Sequence, residues 1–354
     1  MKSVYMQART GNPFNTQLKM LHHPEKLAEY KITDDTTPIL VEINLTNKCS
    51  LRCPWCFTDR LRKNEEINAD HLLRFLEEFK ASGGKAVNWS GGGEPTMHSR
   101  FAYIISKTYE LGLEQGLMTN GIYDHTNIIE KYCKWVRFSV DYSNPTMYKD
   151  NKGVDRLHIV KKNIININKN KIKVGINKNL EHDDPEYIDN IYNMIAFAQE
   201  CDVDYFQVRP ALPNLGQPIQ DVEAFRKQRD FLYNIDGHVY GKTRVVISRD
   251  KYDDLITPIG GRYYHDCCSH IFEPAIDANG DICVCMYQMK KPEFIMGNIY
   301  HSNFTDIWNS EQRKQVVKTC KGLDFSQCQV CCKGHEINKL MHYINHDKGD
   351  VNFI

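Results

Sequence analysis

The fold is decided by the first apolar segment and the cysteines behind it, in residues 39–56, which read ILVEINLTNKCSLRCPWC. Residues 39–46 are apolar enough to predict a buried strand. Cys49, Cys53 and Cys56 follow on one short loop. Three thiolates on a loop can hold three irons of a cubane cluster and leave the fourth iron open, whereas zinc ligands usually come as two pairs. The segment therefore predicts a strand that ends at a metal-binding loop.

The composition narrows the classes of protein that remain. The chain has 354 residues, 45 Lys and Arg against 45 Asp and Glu, a formal charge of zero and 13 cysteines. The length suffices for a full core, and the balanced charge predicts neither nucleic acid nor anionic lipid as a partner. No apolar run approaches the roughly 20 residues that cross a bilayer, and the N-terminus lacks the pattern of a signal peptide. We therefore expect a cytoplasmic protein whose clustered cysteines bind metal or act in catalysis rather than form disulfides.

Strands and helices alternate between residues 39 and 212. The later strands are predicted at 86–90, 114–119, 135–141, 173–177 and 205–209. Asp70 is the predicted cap of the first helix. Such alternation implies parallel strands joined by crossovers, in an open sheet or in a complete or partial barrel. Polar residues at the strand ends predict a functional site at the carboxyl edge.

Composition divides the chain into five segments. They are an N-terminal extension (1–38), the alternating region (39–212), a bridging segment (213–264), a cysteine-rich domain (265–335) and a C-terminal tail (336–354). The bridging segment contains Pro213, Pro218 and Pro258, a predicted helix at 221–234 and a short predicted strand at 244–248. The cysteine-rich domain is too small to bury much core, so it needs the cross-links that metal ligation supplies.

The first cysteine motif resembles that of the radical S-adenosylmethionine (SAM) enzymes. Their signature has three cysteines separated by three and then two residues, with an aromatic residue before the last, and Trp55 fills that position. A second segment supports the resemblance, because residues 90–95, SGGGEP, lie where the family carries its Gly-Gly-Glu-Pro motif. The resemblance covers about 39–212 and implies an α/β fold with a partial, TIM-like (β/α)6 barrel.

This resemblance also implies cofactors. Cys49, Cys53 and Cys56 would hold a [4Fe–4S] cluster whose free iron chelates SAM. The implied cofactor-binding residues are Trp55, Gly92, Gly93, Glu94, Pro95, Asn120, Ser139 and Asp141. An electron from a donor such as flavodoxin or ferredoxin would cleave SAM and leave a 5′-deoxyadenosyl radical, which abstracts hydrogen from an unactivated C–H bond.

A second group of cysteines lies near the C-terminus. Cys268 precedes eleven residues, Gly280, four residues and Cys285, and Cys328 and Cys331 form a later pair. Two separated pairs suit one tetrahedral zinc or one fully ligated iron–sulfur cluster, and the spacing alone slightly favours zinc.

Beside the radical SAM motifs, this pattern looks like the SPASM or twitch extensions of that superfamily, which hold auxiliary [4Fe–4S] clusters. Residues 304–310, FTDIWNS, look like a segment common in these extensions. Since no cysteine follows Cys332, we expect a single auxiliary cluster. Its expected ligands are Cys268, Cys285, Cys328 and Cys331, with Cys267, Cys283 and Cys332 as adjacent replacements.

Two further residues are candidates for the reaction itself. Cys320 has no evident ligand role and is a candidate hydrogen donor to a substrate radical. Arg209 is a candidate substrate ligand, because a guanidinium group can clamp a carboxylate or a phosphate. Cys133 and Cys201 fall late in predicted helices and are expected to be buried.

Three functions remain open. The leading interpretation is a radical SAM oxidoreductase or epimerase that acts on a polar small molecule, such as a sugar, aminocyclitol or nucleoside, with help from the auxiliary cluster. The alternative is a ribosomal-peptide maturase of the SPASM type, which the short N-terminal extension disfavours because it is too small for a peptide-recognition domain. A third is a noncatalytic zinc-ribbon binding protein, which zinc without sulfide would indicate.

Overall fold

The computed structural model describes residues 14–212, 221–257 and 262–346, together with residue 349. Pro213, Pro218 and Pro258 of the predicted bridging segment lie outside the described residues. Among the helices described below, none combines the length and the apolar character that crossing a bilayer requires.

One sheet of eleven strands runs through the described residues. The strands are β1 (Leu40–Asn44), β2 (Ala86–Ser90), β3 (Glu114–Thr119), β4 (Trp135–Ser139), β5 (Lys173–Leu180), β6 (Tyr205–Pro210), β7 (Val239–Tyr240), β8 (Thr243–Ile247), β9 (Ala275–Ile276), β10 (Asp281–Cys283) and β11 (Ile295–Asn298). Their order is β11-β10-β9-β1-β2-β3-β4-β5-β6-β8-β7. Strands β1 to β6 and β8 pair in parallel, and the described sheet has two free edges. The predicted α/β fold with a partial, open barrel is confirmed.

Helices alternate with the parallel strands, as predicted. They are α1 (Thr16–Met20), α2 (Pro24–Thr33), α3 (Ala69–Ala81), α4 (Phe101–Glu110), α5 (Thr126–Tyr132), α6 (Pro145–Lys152), α7 (Leu157–Asn166), α8 (Tyr187–Glu200), α9 (Val222–Ile235), α10 (Arg249–Ile256), α11 (Ser269–Phe272), α12 (Phe304–Asn309), α13 (Glu311–Cys320) and α14 (His335–His346). The predicted cap of α3 was wrong. Asn68, not Asp70, accepts the backbone N–H groups of Asp70 and His71, at 3.0 and 3.1 Å. An N-cap side chain satisfies the free donors of the first turn, and Asp70 already lies inside that turn.

Strand residues alternate between the helix-covered core and the interior of the barrel. The core-facing residues of β1 and β2 are apolar and fully buried, as Val41, Ile43 and Trp89 illustrate. Glu42 and Asn88, on the opposite face, line an interior cavity. The strands therefore place polar side chains in the barrel interior and apolar ones in the core.

Gly175 on β5 makes room for an aromatic ring inside the barrel. It pairs in register with Tyr205 on β6. A Cβ at Gly175 would lie 2.0 Å from the Cζ of Tyr205, a distance at which atoms collide. The glycine in this strand is thus explained by the close approach of a neighbouring side chain.

The bridging segment and the cysteine-rich domain both extend the sheet. Strand β8, in the predicted bridge, pairs in parallel with β6 and is a seventh parallel strand. At the other side, β9 pairs in parallel with β1 and continues into antiparallel β10 and β11. A local pattern predicts a strand but not the sheet edge that it joins, and only the structure shows that the strand in the bridging segment pairs with β6.

Trp308 and Arg313 of the cysteine-rich domain form hydrogen bonds with the segment before β1. The Trp308 indole N–H donates to the carbonyl of Thr36 at 2.9 Å. Arg313 donates to both carboxylate oxygens of Asp35, at 2.7 and 2.5 Å, and its guanidinium carbon lies 3.8 Å from the Trp308 ring centroid. The two parts of the chain are therefore joined by a stacked and bidentate arginine.

Candidate metal and cofactor site

A cavity of about 1300 Å³ occupies the barrel interior and reaches the carboxyl ends of the strands. Both groups of cysteines contribute to its wall. The cysteines that line it are Cys49, Cys53, Cys56, Cys267, Cys285, Cys320, Cys328, Cys331 and Cys332. Residues that are more than two hundred positions apart in the chain thus face one interior space.

Two cations hold the first cysteine loop. Arg62 donates to the carbonyl of Cys49 at 3.2 Å and to the sulfur of Cys56 at 3.8 Å. Lys152 donates to the sulfur of Cys53 at 3.6 Å. Burial raises the pKa of the Cys49 thiol to about 11, and the charge of Arg62 opposes that increase. The cations therefore favour the thiolate forms that ligate metals.

The glycine segment packs directly against this cysteine loop. A Cβ at Gly93 would lie 2.0 Å from the carbonyl oxygen of Lys48, and one at Gly92 would collide with two asparagine side chains. The backbone N–H of Glu94 donates to the same Lys48 carbonyl at 2.7 Å, and the Thr58 hydroxyl donates to the Gly92 carbonyl at 2.9 Å. These glycines are required because the two loops form one packed unit.

Glu94 is buried in the cavity wall and is held by hydrogen bonds. Its carboxylate accepts the hydroxyls of Thr96 and Thr119, both at 2.6 Å, and the backbone N–H of Asn120 at 2.7 Å. Pro95 begins the single turn that follows it. Burial raises the pKa of Glu94, and the hydrogen bonds oppose the shift. A rigid, desolvated carboxylate of this kind suits a cationic ligand such as an amino group.

Asp141 follows β4 with a left-handed φ of +67° and carries an internal ion pair. Its carboxylate pairs with Lys152 and accepts the backbone N–H of Asn179 at 2.6 Å. Lys152 also donates to the Ser139 carbonyl at 3.4 Å, and its ammonium lies 5.4 Å from the Trp55 ring centroid. Ser139, Asp141 and Trp55 all line the cavity, as their predicted cofactor role requires.

Four cysteines of the second group act on one another electrostatically. Burial and the Cys332 and Cys328 sulfurs raise the pKa of Cys267 to about 12. Burial and the sulfurs of Cys267 and Cys332 raise the pKa of Cys285. Burial and Cys332 likewise raise the pKa of Cys328. All four of these thiols line the cavity.

Cys268 and Cys331, two of the four predicted auxiliary ligands, have other partners. The Tyr30 hydroxyl donates to the Cys268 sulfur at 3.0 Å, within an apolar cluster formed with α2 and α14. The Cys331 sulfur lies 3.3 Å from the carbonyl oxygen of Lys251. Cys267 lines the cavity while Cys268 does not, whereas Cys331 and Cys332 both line it.

The remaining cysteines are buried in different places. Cys320 lies beside the second group, and its carbonyl accepts the backbone N–H of Cys267 at 2.9 Å. Cys283 belongs to a separate apolar cluster under the 3₁₀ turn at 286–288. Cys133 and Cys201 are buried at the ends of α5 and α8, as predicted.

Arg209, the predicted substrate ligand, lines the cavity beside two cations that sequence reasoning missed. Burial and the Arg209 charge lower the pKa of Arg137 to about 10. Burial and Arg209 also lower the pKa of Lys251 to about 8. Arg137 shares a face with Ser139 on β4, so strand alternation contained a signal for it, whereas nothing local distinguishes Lys251.

Comparison with protein families assigns the two cysteine-bearing regions. Residues 43–195 match the radical SAM superfamily, and residues 267–333 match the SPASM iron–sulfur cluster-binding domain. The chain belongs to the radical SAM superfamily and carries a SPASM domain. These matches imply a [4Fe–4S] cluster, SAM and an auxiliary cluster.

Known proteins resemble this radical SAM protein along most of its length. The cysteine-type anaerobic sulfatase-maturating enzyme of Clostridium novyi is 23% identical over 329 residues, which are 81% of this chain and 83% of that enzyme. A PqqA peptide cyclase of Methylorubrum extorquens is 37% identical over 87 residues, which are 24% of this chain and 22% of the cyclase. The crystal structure of Streptococcus suis SuiB bound to precursor peptide SuiA shares the fold, with a TM-score of 0.65 at 18% identity, over 87% of this chain and 77% of SuiB.

The donor sets of the two domains fit the implied groups. In the radical SAM domain, three sulfurs on one loop face the cavity beside a rigid carboxylate and two tightly packed glycines. In the SPASM domain, several cysteines line the same cavity and supply enough thiols for a fully ligated cluster. They are Cys267, Cys285, Cys328, Cys331 and Cys332. When bound, the first cluster and SAM supply an oxidant that removes hydrogen from an unactivated C–H bond. The chain itself positions the ligands and surrounds the reacting groups with protein.

Sequence reasoning missed the cations around the first cysteine loop. Lys152 is 99 residues away from Cys53 along the chain. Arg62 is close in sequence, but a basic residue after a cysteine motif is common on surfaces. Only the folded chain brings either cation to a sulfur.

Proposed function

We propose that this radical SAM enzyme is a peptide maturase of the SPASM type, which removes hydrogen from a residue of a peptide substrate. The auxiliary cluster exchanges an electron with the substrate radical, and a flavodoxin or a ferredoxin reduces the clusters. The protein belongs to the radical SAM superfamily whatever its substrate is. The peptide substrate is our proposal.

The observation that carries the proposal is the continuous cavity between the two cysteine groups. Its volume of about 1300 Å³ exceeds the roughly 300–1000 Å³ that is usual for a pocket with one small ligand. SAM and the two clusters would take part of this volume. We propose that a peptide segment enters the remainder, which both cysteine groups border.

The relatives add support from another direction. The sulfatase-maturating enzyme and the peptide cyclase are named for maturation and for cyclisation of a peptide, and SuiB is bound to a precursor peptide. None of them is named for a sugar or an aminocyclitol. We therefore favour the peptide over the polar small molecule that the sequence suggested first.

The proposal includes a ligand assignment. Cys49, Cys53 and Cys56 bind the catalytic cluster, and Gly92, Gly93, Glu94 and Asn120 bind SAM with the other residues named above. For the auxiliary cluster we propose Cys267, Cys285, Cys328 and Cys332, because these sulfurs influence one another while Cys268 and Cys331 have other partners. Cys320 remains a proposed hydrogen donor, buried beside the auxiliary group.

The test is anaerobic turnover with two substrate panels. Protein reconstituted with iron and sulfide receives SAM, a reductant and short peptides encoded near its gene, and 5′-deoxyadenosine and peptide mass are measured. A parallel panel contains deuterated sugars, aminocyclitols and nucleosides. We expect a changed peptide mass, or uptake of solvent deuterium by the peptide, in step with 5′-deoxyadenosine.

Deuterium transfer from a small molecule into 5′-deoxyadenosine, with every peptide unchanged, would establish the small-molecule oxidoreductase or epimerase instead. The Cys53→Ser variant is the control in both panels, since loss of one catalytic-cluster ligand must abolish turnover of either substrate class.

A further inference from the structure

We propose that Arg137, Arg209 and Lys251 form a binding site for a carboxylate of the substrate. The inference deepens the proposed peptide maturase and rests on it for the choice of a carboxylate over other oxyanions. An acidic side chain or a C-terminal carboxylate of a peptide would supply the group.

The sheet places these cations together. Arg137 on β4 pairs in register with Gly175 on β5, which pairs with Tyr205 on β6. Because side chains alternate along a strand, Arg209 shares the inward face of β6 with Tyr205. Lys251, in the first turn of α10, completes the group from the segment that follows β8. All three cations line the cavity.

These cations lack the acidic partners that neighbouring cations have. Among the described residues, Arg209 makes no ion pair, while Lys152 pairs with Asp141. Lys333, also in the wall, pairs with Glu273 and lies 3.5 Å from Glu42. Asp141, Glu42 and Glu273, which also line the cavity, thus pair with other cations.

Arg137 and Lys251 are held by neutral groups. Arg137 is 6% exposed and donates to the Gln207 side-chain oxygen at 2.6 Å and to the Met118 sulfur at 2.9 Å. Lys251 donates to the carbonyl oxygen of Cys331 at 2.5 Å. Neutral acceptors fix the positions of these cations, and within the described part of the chain neither cation forms an ion pair with a carboxylate.

Hydrogen bonds bring these side chains toward the same part of the wall. Gln207, which accepts from Arg137, lies two residues before Arg209 on the same face of β6. Its amide also donates to the hydroxyl of Ser248, the residue that precedes α10 and Lys251. Besides burial, the charge of Arg209 lowers the pKa of Arg137. Gathering three like charges in a desolvated wall is unfavourable unless an anion binds there. The half-buried guanidinium of Arg209 offers the planar, bidentate geometry that a carboxylate matches.

The location connects this site to the reaction. Lys251 is hydrogen-bonded to Cys331, which adjoins the auxiliary sulfur of Cys332. An anion held by Lys251 and Arg209 would therefore lie between the barrel and the SPASM domain. Anchoring one charged group there would fix the register of a peptide in the cavity.

The experiment measures binding of an anion and does not depend on turnover. Full-length protein with reconstituted clusters is treated anaerobically with phenylglyoxal, which modifies accessible arginines, and the Arg209 adduct is quantified by mass spectrometry. Glutarate and inorganic phosphate are the protecting probes. Calorimetry then compares glutarate and SAM binding by the wild type, Arg209→Gln and Arg244→Gln. Arg244 is the matched control, because it lines the same cavity but lies near the start of β8 and is exposed.

We expect glutarate to protect Arg209 at lower concentration than phosphate does, and Arg209→Gln to weaken glutarate binding about tenfold or more. Arg244→Gln should leave glutarate binding unchanged, and Arg209→Gln should leave SAM binding unchanged. Absence of protection, or better protection by phosphate, overturns the carboxylate site. Weaker SAM binding by Arg209→Gln also overturns it, since the cations would then serve the SAM carboxylate. Since protection is measured on the wild type, the test survives a misfolded variant.

The results also separate this inference from the proposed function. Protection by glutarate without turnover of any peptide would preserve the carboxylate site and reject the peptide maturase. Peptide turnover without protection would preserve the maturase and reject the site.

Discussion

The ammonium group of Lys152 lies 3.6 Å from the sulfur of Cys53 and forms an ion pair with Asp141. Lys152 ends α6, Asp141 follows β4, and their side chains are 1% and 0% exposed. Although burial lowers it, the charges of Asp141 and Cys53 raise the pKa of Lys152 overall. One cation therefore couples the barrel, a helix and the catalytic cysteine loop.

Replacing this cation should affect both stability and redox chemistry. Lys152→Met leaves Asp141 buried without its partner, and we expect unfolding free energy to fall by about 3–5 kcal/mol. The reduction potential of the catalytic cluster should become more negative, because a nearby cation stabilises the reduced, more negative state. Denaturant unfolding and a redox titration followed by electron paramagnetic resonance measure the two effects. Lys149→Met, at an exposed position of the same helix, is the control. Equal stability of both variants would show that the ion pair contributes nothing.

The adjacent cysteine pairs give a matched test of the auxiliary ligands. Cys267→Ser and Cys332→Ser should lower iron from about eight to about four per chain, because each removes a proposed ligand. Cys268→Ser and Cys331→Ser should retain most of the iron, since their sulfurs contact Tyr30 and Lys251 instead. Iron and sulfide analysis after anaerobic purification reads the result. The opposite pattern would restore the ligand set that the motif spacing predicts.

Gly93 should tolerate no side chain. In Gly93→Ala the new Cβ would meet the Lys48 carbonyl at 2.0 Å, so the glycine segment must move away from the cysteine loop. We expect a loss of about 1–3 kcal/mol in unfolding free energy, with loss of SAM binding and of catalytic-cluster iron. Gly112→Ala is the comparison, because φ is +74° there but no atom lies closer than 3.7 Å. That variant should cost about 1–2 kcal/mol and keep its iron. Normal SAM affinity in Gly93→Ala would contradict the packed arrangement of the loops.

Arg313 should be important for attachment of the SPASM domain. Arg313→Met removes two charge-assisted hydrogen bonds to Asp35 and the stacking on Trp308, and we expect a cost of about 1.5–3 kcal/mol. Asp35 is 43% exposed, so the carboxylate left behind regains water, which limits the cost. Arg100→Met breaks an exposed ion pair with Asp70 and should change stability by less than about 1 kcal/mol. Calorimetry measures the unfolding transitions of both variants. Similar transition temperatures for the two would rule out a structural role for the Arg313 contact.

Local patterns predicted the parallel sheet well because short segments with apolar residues alternate with helical segments and end in polar residues. The strands Ala86–Ser90 and Glu114–Thr119 have the predicted bounds. The cap of α3 was misassigned because Asn68 and Asp70 are both good capping residues, and only the start of the helix distinguishes them. The edge that β8 joins depends on contacts with distant β6, which no local pattern records.

The auxiliary cysteines show the same limit of local patterns at the level of single residues. Cys267 and Cys268 are neighbours, so the motif spacing changes by only one residue between them and does not distinguish them. The same holds for Cys331 and Cys332. Which sulfur faces inward depends on the direction of the backbone at each position. That direction is set by packing against Tyr30 on one side and Lys251 on the other.

The sequence by itself determined the parallel α/β core, the three-cysteine loop, the glycine segment and the presence of a second cysteine-rich domain, because each depends on neighbouring residues. Tertiary structure alone decided that Lys152 supports Cys53, that both cysteine groups line one cavity, and that Arg137, Arg209 and Lys251 line it too. These arrangements join residues from separate strands and loops, and burial and charge act across space rather than along the chain.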